Sequence, residues 1–242
     1  MPYYSVNLLL DLSARPVIAH RGASAHAPEN TMRAFELALR QGADALELDV
    51  RLSRDGVPVV LHDATLDRTT PLRGPAALLT AVELKSAQVP TLAEVLSAFR
   101  RTPLLIDLKE AAAQLAVREL LLSHGAVDRC VVAGEDGAVL RGFRGTAFAT
   151  GACRSDVAAL YGKAAFRIVP SRVSYRVLSV PLRHRGLPVP TRWFISAARA
   201  LGCPVHVWTV DAPAVARRLW SRGVAGIVTN TPGVIRAARS GA

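Results

Sequence analysis

The chain has 242 residues, of which half are apolar and 20% are charged, and its mean hydropathy is +0.25. This composition supplies a sizeable core and excludes intrinsic disorder. No apolar run approaches the roughly 18 residues of a membrane span, so the sequence predicts none. The first fourteen residues lack a basic n-region and a cleavage site, so we expect no secretory signal. The three cysteines are far apart and odd in number, which favours free thiols in a reducing cytoplasm.

The net charge of +11 is unevenly distributed along the chain. Residues 1–140 carry 14 basic and 17 acidic groups, whereas residues 141–222 carry 14 basic and 2 acidic groups. Aromatic residues make up only 5% and form no stacking motif, so we expect no nucleic-acid partner. An anionic small substrate or an anionic membrane surface fits the positive half at least as well. We therefore expect a cytoplasmic protein, either free or in peripheral contact with a membrane, and the oligomeric state stays open.

Strand-like and helix-like segments alternate along the whole chain. The strand candidates are short and apolar, and they lie at 17–20, 44–50, 103–108, 129–133, 146–150, 176–180, 204–209 and 226–229. Helical patterns lie between them, at 31–41, 91–100, 111–123, 155–165, 191–201 and 211–222. Eight parallel strands with helical connections close a (β/α)₈ barrel in about 250 residues. We predict an α/β fold, a single TIM-type barrel domain over residues 1–242 with its core at about 15–240.

A further apolar run, 57–61, follows the second predicted strand too closely to be a barrel strand, because a parallel crossover needs a dozen or more residues. Asp55-Gly56 is typical of a two-residue hairpin turn. The run therefore predicts a β-hairpin extension after strand 2, followed by a short insertion before barrel helix 2. With this turn, Asp49 lies directly opposite His62. Since cross-strand neighbours and alternate residues of a strand share a face, the hairpin gathers Glu47, Asp49 and His62.

Ionisable side chains gather where the predicted strands end, which is where barrel active sites lie. Three carboxylates at one barrel mouth repel one another, and a divalent cation neutralises them. Oxygen ligands favour Mg²⁺ or Ca²⁺ over zinc. The alternative is a salt-bridge cluster with the neighbouring cations. The strand-end residues are His20, Arg21, Glu47, Asp49, Asp107, Lys109 and Trp208.

Two of the six histidines, His20 and His62, lie on adjacent elements and could flank a substrate. Two imidazoles beside a hard metal suit phosphoryl chemistry, in which one accepts a proton from the nucleophile and the other donates one to the leaving oxygen. A lone histidine is more often a structural residue. We interpret the remaining four in that way, with the role of His206 left open.

Several sequence motifs, taken in chain order, resemble those of one family, the glycerophosphodiester phosphodiesterases. In the first hundred residues they are His20-Arg21-Gly22-Ala23-Ser24, Pro28-Glu29-Asn30-Thr31, Gly42-Ala43-Asp44-x-x-Glu47-x-Asp49-Val50, Asp55-Gly56-Val57-Pro58-Val59-Val60-x-His62-Asp63, Leu66-Asp67-Arg68-Thr69-Thr70 and Pro90-Thr91-Leu92-x-Glu94-Val95-Leu96. Near the end they are Val207-Trp208-Thr209-Val210 and Gly226-Ile227-Val228-Thr229-Asn230-x-Pro232. The resemblance spans about residues 17–235, and residues 110–190 contribute little to it.

The resemblance implies a TIM barrel that uses a divalent metal ion, Mg²⁺ or Ca²⁺, to split a glycerophosphodiester into an alcohol and glycerol 3-phosphate. The implied residues are the acid/base pair His20 and His62, the metal ligands Glu47, Asp49 and Asp107, the phosphate-holding Arg21 and Lys109, the wall residue Trp208, and the site-shaping Glu29 and Asn30. Two alternatives stay open. One is a lysophospholipase D-like activity on lysophospholipids, and the other is a catalytically silent phosphate-binding barrel, which the filled catalytic positions disfavour.

Three positions depart from the usual pattern of the family. Asp107-x-Lys109 stands for Glu-x-Lys, Ala133-Gly134 for Ser-Phe, and Thr229-Asn230 for Thr-Asp. The shorter carboxylate leaves the choice between Mg²⁺ and Ca²⁺ open, and Asn230 removes a charge. The alcohol leaving group and the nucleophile, either water or a neighbouring glycerol hydroxyl, are open as well.

Overall fold

The computed structural model describes residues 7–239, so the predictions for residues 1–6 and 240–242 lie outside the described residues. The strands are β1 (Val17–His20), β2 (Ala45–Leu52), β3 (Pro58–Val60), β4 (Leu104–Leu108), β5 (Cys130–Ala133), β6 (Ala149–Thr150), β7 (Leu178–Pro181), β8 (Arg183–His184), β9 (Leu187–Pro188), β10 (Val205–Trp208) and β11 (Gly226–Thr229). The α-helices are α1 (Met32–Arg40), α2 (Ala81–Lys85), α3 (Leu92–Ala98), α4 (Gln114–Ser123), α5 (Arg154–Ala165), α6 (Arg192–Ala200), α7 (Pro213–Trp220) and α8 (Pro232–Arg239).

Eight strands form the parallel wall that the sequence predicts. They are hydrogen-bonded in the order β6-β5-β4-β2-β1-β11-β10-β7, and β3 pairs with β2 outside this order. A parallel bridge between Gly151 and Val177 brings the β6 end of the sheet to the β7 end. The strands are almost wholly buried beneath the helices. The α/β barrel prediction is confirmed.

Threonine caps fix where several helices begin. The side chains of Thr31, Thr80, Thr91 and Thr191 each accept a hydrogen bond from the backbone N–H three residues later. The cap of α1 matters most for the site. Because Thr31 caps the start of α1, the preceding residues 28–30 stay in the loop next to the end of β1, where the Asn30 N–H donates to the Arg21 carbonyl at 3.0 Å.

The hairpin between β2 and β3 forms in a different register from the predicted one. Val50 pairs with Val60, so Asp49 lies opposite Leu61, whose N–H donates to the Asp49 carbonyl at 3.0 Å. The prediction that Asp49 lies opposite His62 is therefore wrong by one residue. His62 follows β3 and reaches the barrel mouth from a loop.

The turn itself explains the shift. It holds three residues, Arg54–Gly56, because Gly56 adopts a left-handed conformation with φ at +74°. Ser53 closes the turn, since its N–H donates to the Val57 carbonyl and its Oγ accepts from the Val57 N–H, each at 3.0 Å. A third turn residue in the left-handed region is the usual ending of a three-residue hairpin loop.

Four short elements have no counterpart among the predictions, namely α2, α8, β8 and β9. The last two form a hairpin in which Arg183 pairs with Pro188 and His184 with Leu187. Strands of two residues show no periodicity that a sequence pattern could reveal. The predicted strand 146–150 is reduced to Ala149–Thr150. Within residues 7–239, no helix combines the length and the apolar character that crossing a bilayer requires.

Candidate active site

The carboxyl ends of the barrel strands surround a cavity of about 520 Å³. Its wall contains eight of the ten residues that the sequence and the resemblance indicate: His20, Arg21, Glu47, Asp49, His62, Asp107, Lys109 and Trp208. The other two, Glu29 and Asn30, lie behind this wall. Their functional roles stay predictions, but the fold places all ten residues in one region.

Three carboxylates converge at the bottom of the cavity. Asp49 on β2 is in register with Asp107 on β4, and Glu47 lies two residues before Asp49 on the same face. One oxygen of each carboxylate lies within 4.8 Å of the other two. Glu47 and Asp49 are only 7% and 1% exposed.

Two cations compensate part of this negative charge. Lys109 Nζ lies 2.8 Å from Asp49 Oδ1 and 2.6 Å from Asp107 Oδ2, and Arg21 Nε lies 3.1 Å from Asp49 Oδ2. The salt-bridge cluster considered as an alternative to a metal site is therefore present around Asp49. It does not include Glu47, whose Oε2 accepts a hydrogen bond from the Arg21 backbone N–H at 2.9 Å. No cationic side chain of residues 7–239 forms an ion pair with Glu47.

Burial and the neighbouring charges shift the pKa values of the three acids in different directions. Burial, followed by the charges of Asp49 and Asp107, raises the pKa of Glu47 well above its usual value. Burial also raises the pKa of Asp107, which Lys109 offsets only in part. Burial acts in the same direction on Asp49, but Lys109 and Arg21 outweigh it and lower that pKa. A cation is therefore most needed at Glu47, and the three hard oxygen donors fit Mg²⁺ or Ca²⁺.

The loop before α1 supports the cavity from behind. Asn30 Nδ2 donates to Asp49 Oδ2 at 2.8 Å. Its backbone is left-handed, with φ at +58°, a conformation that asparagine tolerates better than most residues. Glu29 accepts from Arg21 at 3.0 Å, and from Arg68 through two bonds of 2.7 and 2.9 Å. Asn30 thus holds a carboxylate, and Glu29 holds a guanidinium.

His62 has partners that the sequence reasoning did not assign. Its Nδ1 lies 2.6 Å from Asp63 Oδ1, and Arg68 Nε donates to Asp63 Oδ2 at 2.6 Å. The bond from Arg68, and next the one from His62, lowers the pKa of Asp63, which therefore remains a carboxylate. Because Arg68 also binds Glu29, one network joins His62 to Arg21. For the contact between His62 and Asp63, the sequence signal is that the two residues are adjacent in the chain.

His20 is held by a neutral group instead. Its Nδ1 lies 2.8 Å from Asn230 Oδ1, and Asn230 Nδ2 donates to Asp211 Oδ2 at 2.8 Å. A carboxylate only accepts, so Asp211 fixes the amide with its oxygen towards His20. Burial, supported by the charge of Arg21, lowers the pKa of His20. The departure at Asn230 therefore lies in direct contact with a predicted catalytic residue.

One side of the cavity is apolar, and we call this side the apolar arm. Tyr161 on α5 joins the two walls of the arm, since its hydroxyl donates to the Pro188 carbonyl at 3.1 Å. His184 also lines this side although its pattern indicated a structural residue, whereas His206 is buried and has no hydrogen-bond partner within residues 7–239. Glu135 and Arg154, which form an ion pair with each other, line the cavity as well. The other residues of the arm are small or apolar: Ala133, Gly134, Ala152, Val157, Ala158, Tyr161, Gly162, Leu187, Pro188, Val189 and Trp208.

Comparison with known proteins agrees with this geometry. The model of the glycerophosphoryl diester phosphodiesterase family matches residues 20–234. The chain is 31% identical over 236 residues to the Mycobacterium tuberculosis protein named probable glycerophosphodiester phosphodiesterase 2, covering 92% of this chain and 89% of that protein.

Solved structures show the same similarity. The crystal structure of a glycerophosphodiester phosphodiesterase from Agrobacterium tumefaciens matches with a TM-score of 0.74 and 29% identity, over 92% of this chain and 99% of that one. A phosphodiesterase from Oleispira antarctica, in complex with the product sn-glycerol-3-phosphate, matches with a TM-score of 0.75 and 25% identity, over 93% and 96%. The chain therefore belongs to the glycerophosphoryl diester phosphodiesterase family.

Proposed function

We propose that the chain hydrolyses glycerophosphodiesters to an alcohol and glycerol 3-phosphate, with Mg²⁺ or Ca²⁺ held by Glu47, Asp49 and Asp107. The observation that carries the proposal is the carboxylate triad, buried at Glu47 and Asp49 and half-buried at Asp107, in which Glu47 lacks a cationic partner among the described residues. A divalent cation there would supply Lewis-acid stabilisation of charge on the phosphoryl oxygens. The glycerol 3-phosphate bound to the Oleispira relative supports the substrate class.

We assign the general base to His20. Asn230 Oδ1 can only accept, so Nδ1 of His20 carries the hydrogen of their 2.8 Å bond. The other ring nitrogen, Nε2, is then unprotonated in the neutral ring and able to accept a proton from the nucleophile. The lowered pKa of His20, caused mainly by burial, keeps this neutral form populated near pH 7.

We assign the general acid to His62. Its Nδ1 lies against the carboxylate of Asp63, and a carboxylate in that place stabilises an imidazolium as it does in serine hydrolases. Nε2 of that imidazolium is free to donate a proton to the leaving alcohol oxygen. The two histidines thus differ in their partners, a neutral amide oxygen at His20 and a carboxylate at His62, and this difference suits a general base and a general acid, respectively.

The nucleophile is either water or the glycerol hydroxyl next to the phosphoester. We favour the hydroxyl, because an intramolecular attack needs no second molecule to be ordered. The first product would then be a cyclic glycerol phosphate, which water opens afterwards. Full turnover of a substrate with hydrogen in place of this hydroxyl would contradict the cyclic route, and loss of turnover with binding retained would support it.

The apolar arm favours a second substrate class, the lysophospholipids. Pockets of roughly 300–1,000 Å³ hold ligands of drug size, and the cavity of about 520 Å³ falls in this range. Its apolar wall could hold an alkyl chain beside the phosphoester. Release of choline from a lysophospholipid would indicate this lysophospholipase D-like activity.

One substrate panel tests these proposals together. Glycerophosphocholine, glycerophosphoethanolamine and a lysophospholipid are incubated with Mg²⁺, with Ca²⁺ or with EDTA, and alcohol release is measured. We expect turnover that EDTA abolishes and that Glu47→Gln removes, whereas Glu36→Gln on the exposed face of α1 retains it. Phosphate binding without turnover under any condition would indicate the silent barrel instead.

The three cysteines are buried and free, which supports a cytoplasmic setting for the reaction.

A further inference from the structure

The surface outside the apolar arm combines exposed apolar side chains with unpaired positive charge. We call it the basic apolar face and define it as residues 163–169 at the end of α5 together with residues 183–187 of the β8–β9 hairpin. Phe166 is 81% exposed and Leu187 is 63% exposed, and Ile168 and Val169 are exposed as well. Exposed apolar side chains concentrated in this way indicate a contact surface.

The two segments of this face adjoin the same cavity. Ala158 and Gly162 line the apolar arm, and Phe166, the residue directly after α5, follows Gly162 by four positions, about one helical turn further along the same side. On the hairpin, Leu187 lines the arm. The bond from Tyr161 to the Pro188 carbonyl joins the two sides. Both segments of the face are therefore continuous in the chain with residues that line the arm.

The charge around this face has one sign. No acidic residue occurs between positions 160 and 192. All the basic residues in this stretch are exposed, and none of them forms an ion pair within residues 7–239. They are Lys163, Arg167, Arg172, Arg176, Arg183, Arg185 and Arg192.

We propose that the basic apolar face docks on a bilayer that contains anionic phospholipids. Each lysine or arginine near an anionic leaflet strengthens binding, and apolar side chains among them enter the boundary between headgroups and acyl chains. Charge complementarity favours a bilayer, because the four cations of the face, Lys163, Arg167, Arg183 and Arg185, have no ion-pair partner among the described residues and need several anions spread over a surface. The apolar arm would then open towards the lipid. This docking does not depend on the proposed hydrolysis.

Vesicle co-sedimentation of the full chain tests the proposal. The vesicles contain phosphatidylglycerol and phosphatidylcholine in equal parts, or phosphatidylcholine alone. We expect binding to the anionic vesicles only, and weaker binding as NaCl is raised. Arg183→Glu/Arg185→Glu should weaken binding by about 20-fold or more. Phe166→Glu should weaken it by about tenfold.

Matched variants separate docking from adsorption of any basic protein. Arg100→Glu/Arg101→Glu changes the charge by the same amount, at exposed sites just ahead of β4 and so at the opposite end of the barrel. Leu122→Glu replaces an apolar side chain that is 55% exposed at the end of α4. Both controls should bind the anionic vesicles as the unmodified chain does.

Three results would overturn the proposal. The first is equal loss of binding in the two double-arginine variants, which would indicate adsorption by net charge. The second is no binding of the unmodified chain to anionic vesicles. The third is a dimer that Phe166→Glu dissociates while vesicle binding persists, which would make the face a contact between two copies. Turnover of glycerophosphocholine is measured without vesicles in parallel, so a failed hydrolysis proposal remains distinct from failed docking.

Discussion

Replacing Glu47 by glutamine should change how stability depends on pH in the absence of metal. Glu47 is almost fully buried and has no cationic partner among the described residues, so its carboxylate is costly when ionised. Burial raises its pKa above the usual 4.5. The folded protein then holds this proton more tightly than the unfolded chain does. Stability is therefore lost as the pH rises from about 4.5 through the folded pKa.

The size of this effect follows from linkage. Over the pH range in which Glu47 is protonated in the folded protein and ionised in the unfolded chain, each pH unit costs about 1.4 kcal/mol of the free energy of unfolding. For a chain of this size that is a fall of Tm by about 3–5 °C per pH unit. Glutamine stays neutral, so Glu47→Gln should lack this part of the slope and be more stable than the unmodified chain at high pH.

The assay is thermal unfolding in EDTA at a series of pH values. Asp107 titrates in both proteins, so the difference between the two curves reports Glu47 together with its electrostatic coupling to Asp49 and Asp107. Glu36→Gln on α1 is the matched control and should follow the unmodified chain. Added Mg²⁺ or Ca²⁺ should remove the fall of Tm with rising pH in the unmodified chain only, because metal binding needs the ionised carboxylate. Parallel curves for Glu47→Gln and the unmodified chain would refute the reasoning.

Three further predictions concern the histidines. His20→Ala and His62→Ala should each lower kcat by about 10²–10⁴-fold, and the loss in the double variant should be far smaller than the sum of the two. In turnover assays, a substrate whose leaving group has a low pKa should rescue only His62→Ala. Asn230→Leu should lower kcat by about 10–100-fold and shift the acid limb of the kcat/KM profile against pH, whereas an unmoved profile would assign Asn230 a purely structural part. Burial lowers the pKa of His206 to about 4 from 6.5, so stability should be lost as the pH falls between these values, by about 3 kcal/mol in total. In His206→Leu, denaturant unfolding should show no such loss, and a loss equal to that of the unmodified chain would contradict this interpretation of His206.

The convergence of the carboxylates could be predicted because it depends on two regular features. Alternation along β2 places Glu47 and Asp49 on one face, and parallel pairing with β4 brings Asp107 beside them. The register of the hairpin could not be predicted in the same way. Asp55-Gly56 fits both a two-residue and a three-residue loop, and the bonds of Ser53 favour the longer one.

Contacts between distant loops had no pattern to indicate them. Arg68 binds Glu29 across 39 residues, and Asn230 binds His20 across 210 residues. Neither contact follows the period of a helix or a strand. The apolar arm could not be predicted either, because β8 and β9 are two residues long and lie in the part of the chain that resembles the family least.

The charge balance of the cavity leads to a last prediction, that metal strengthens the binding of glycerol 3-phosphate. With all groups ionised, three carboxylates exceed Arg21 and Lys109 by one negative charge, which repels a phosphate. A divalent cation at the carboxylates reverses the sign and competes for Asp49, the partner of both cations. Arg21 and Lys109 would then be free to hold the phosphate. In calorimetric titration, Mg²⁺ or Ca²⁺ should lower the Kd of glycerol 3-phosphate by about tenfold or more, since a coupling of 1.4 kcal/mol is already tenfold. Glu36→Gln should retain this coupling and Glu47→Gln should lose it. A Kd that the metal leaves unchanged in the unmodified chain would show that the two cations do not exchange partners.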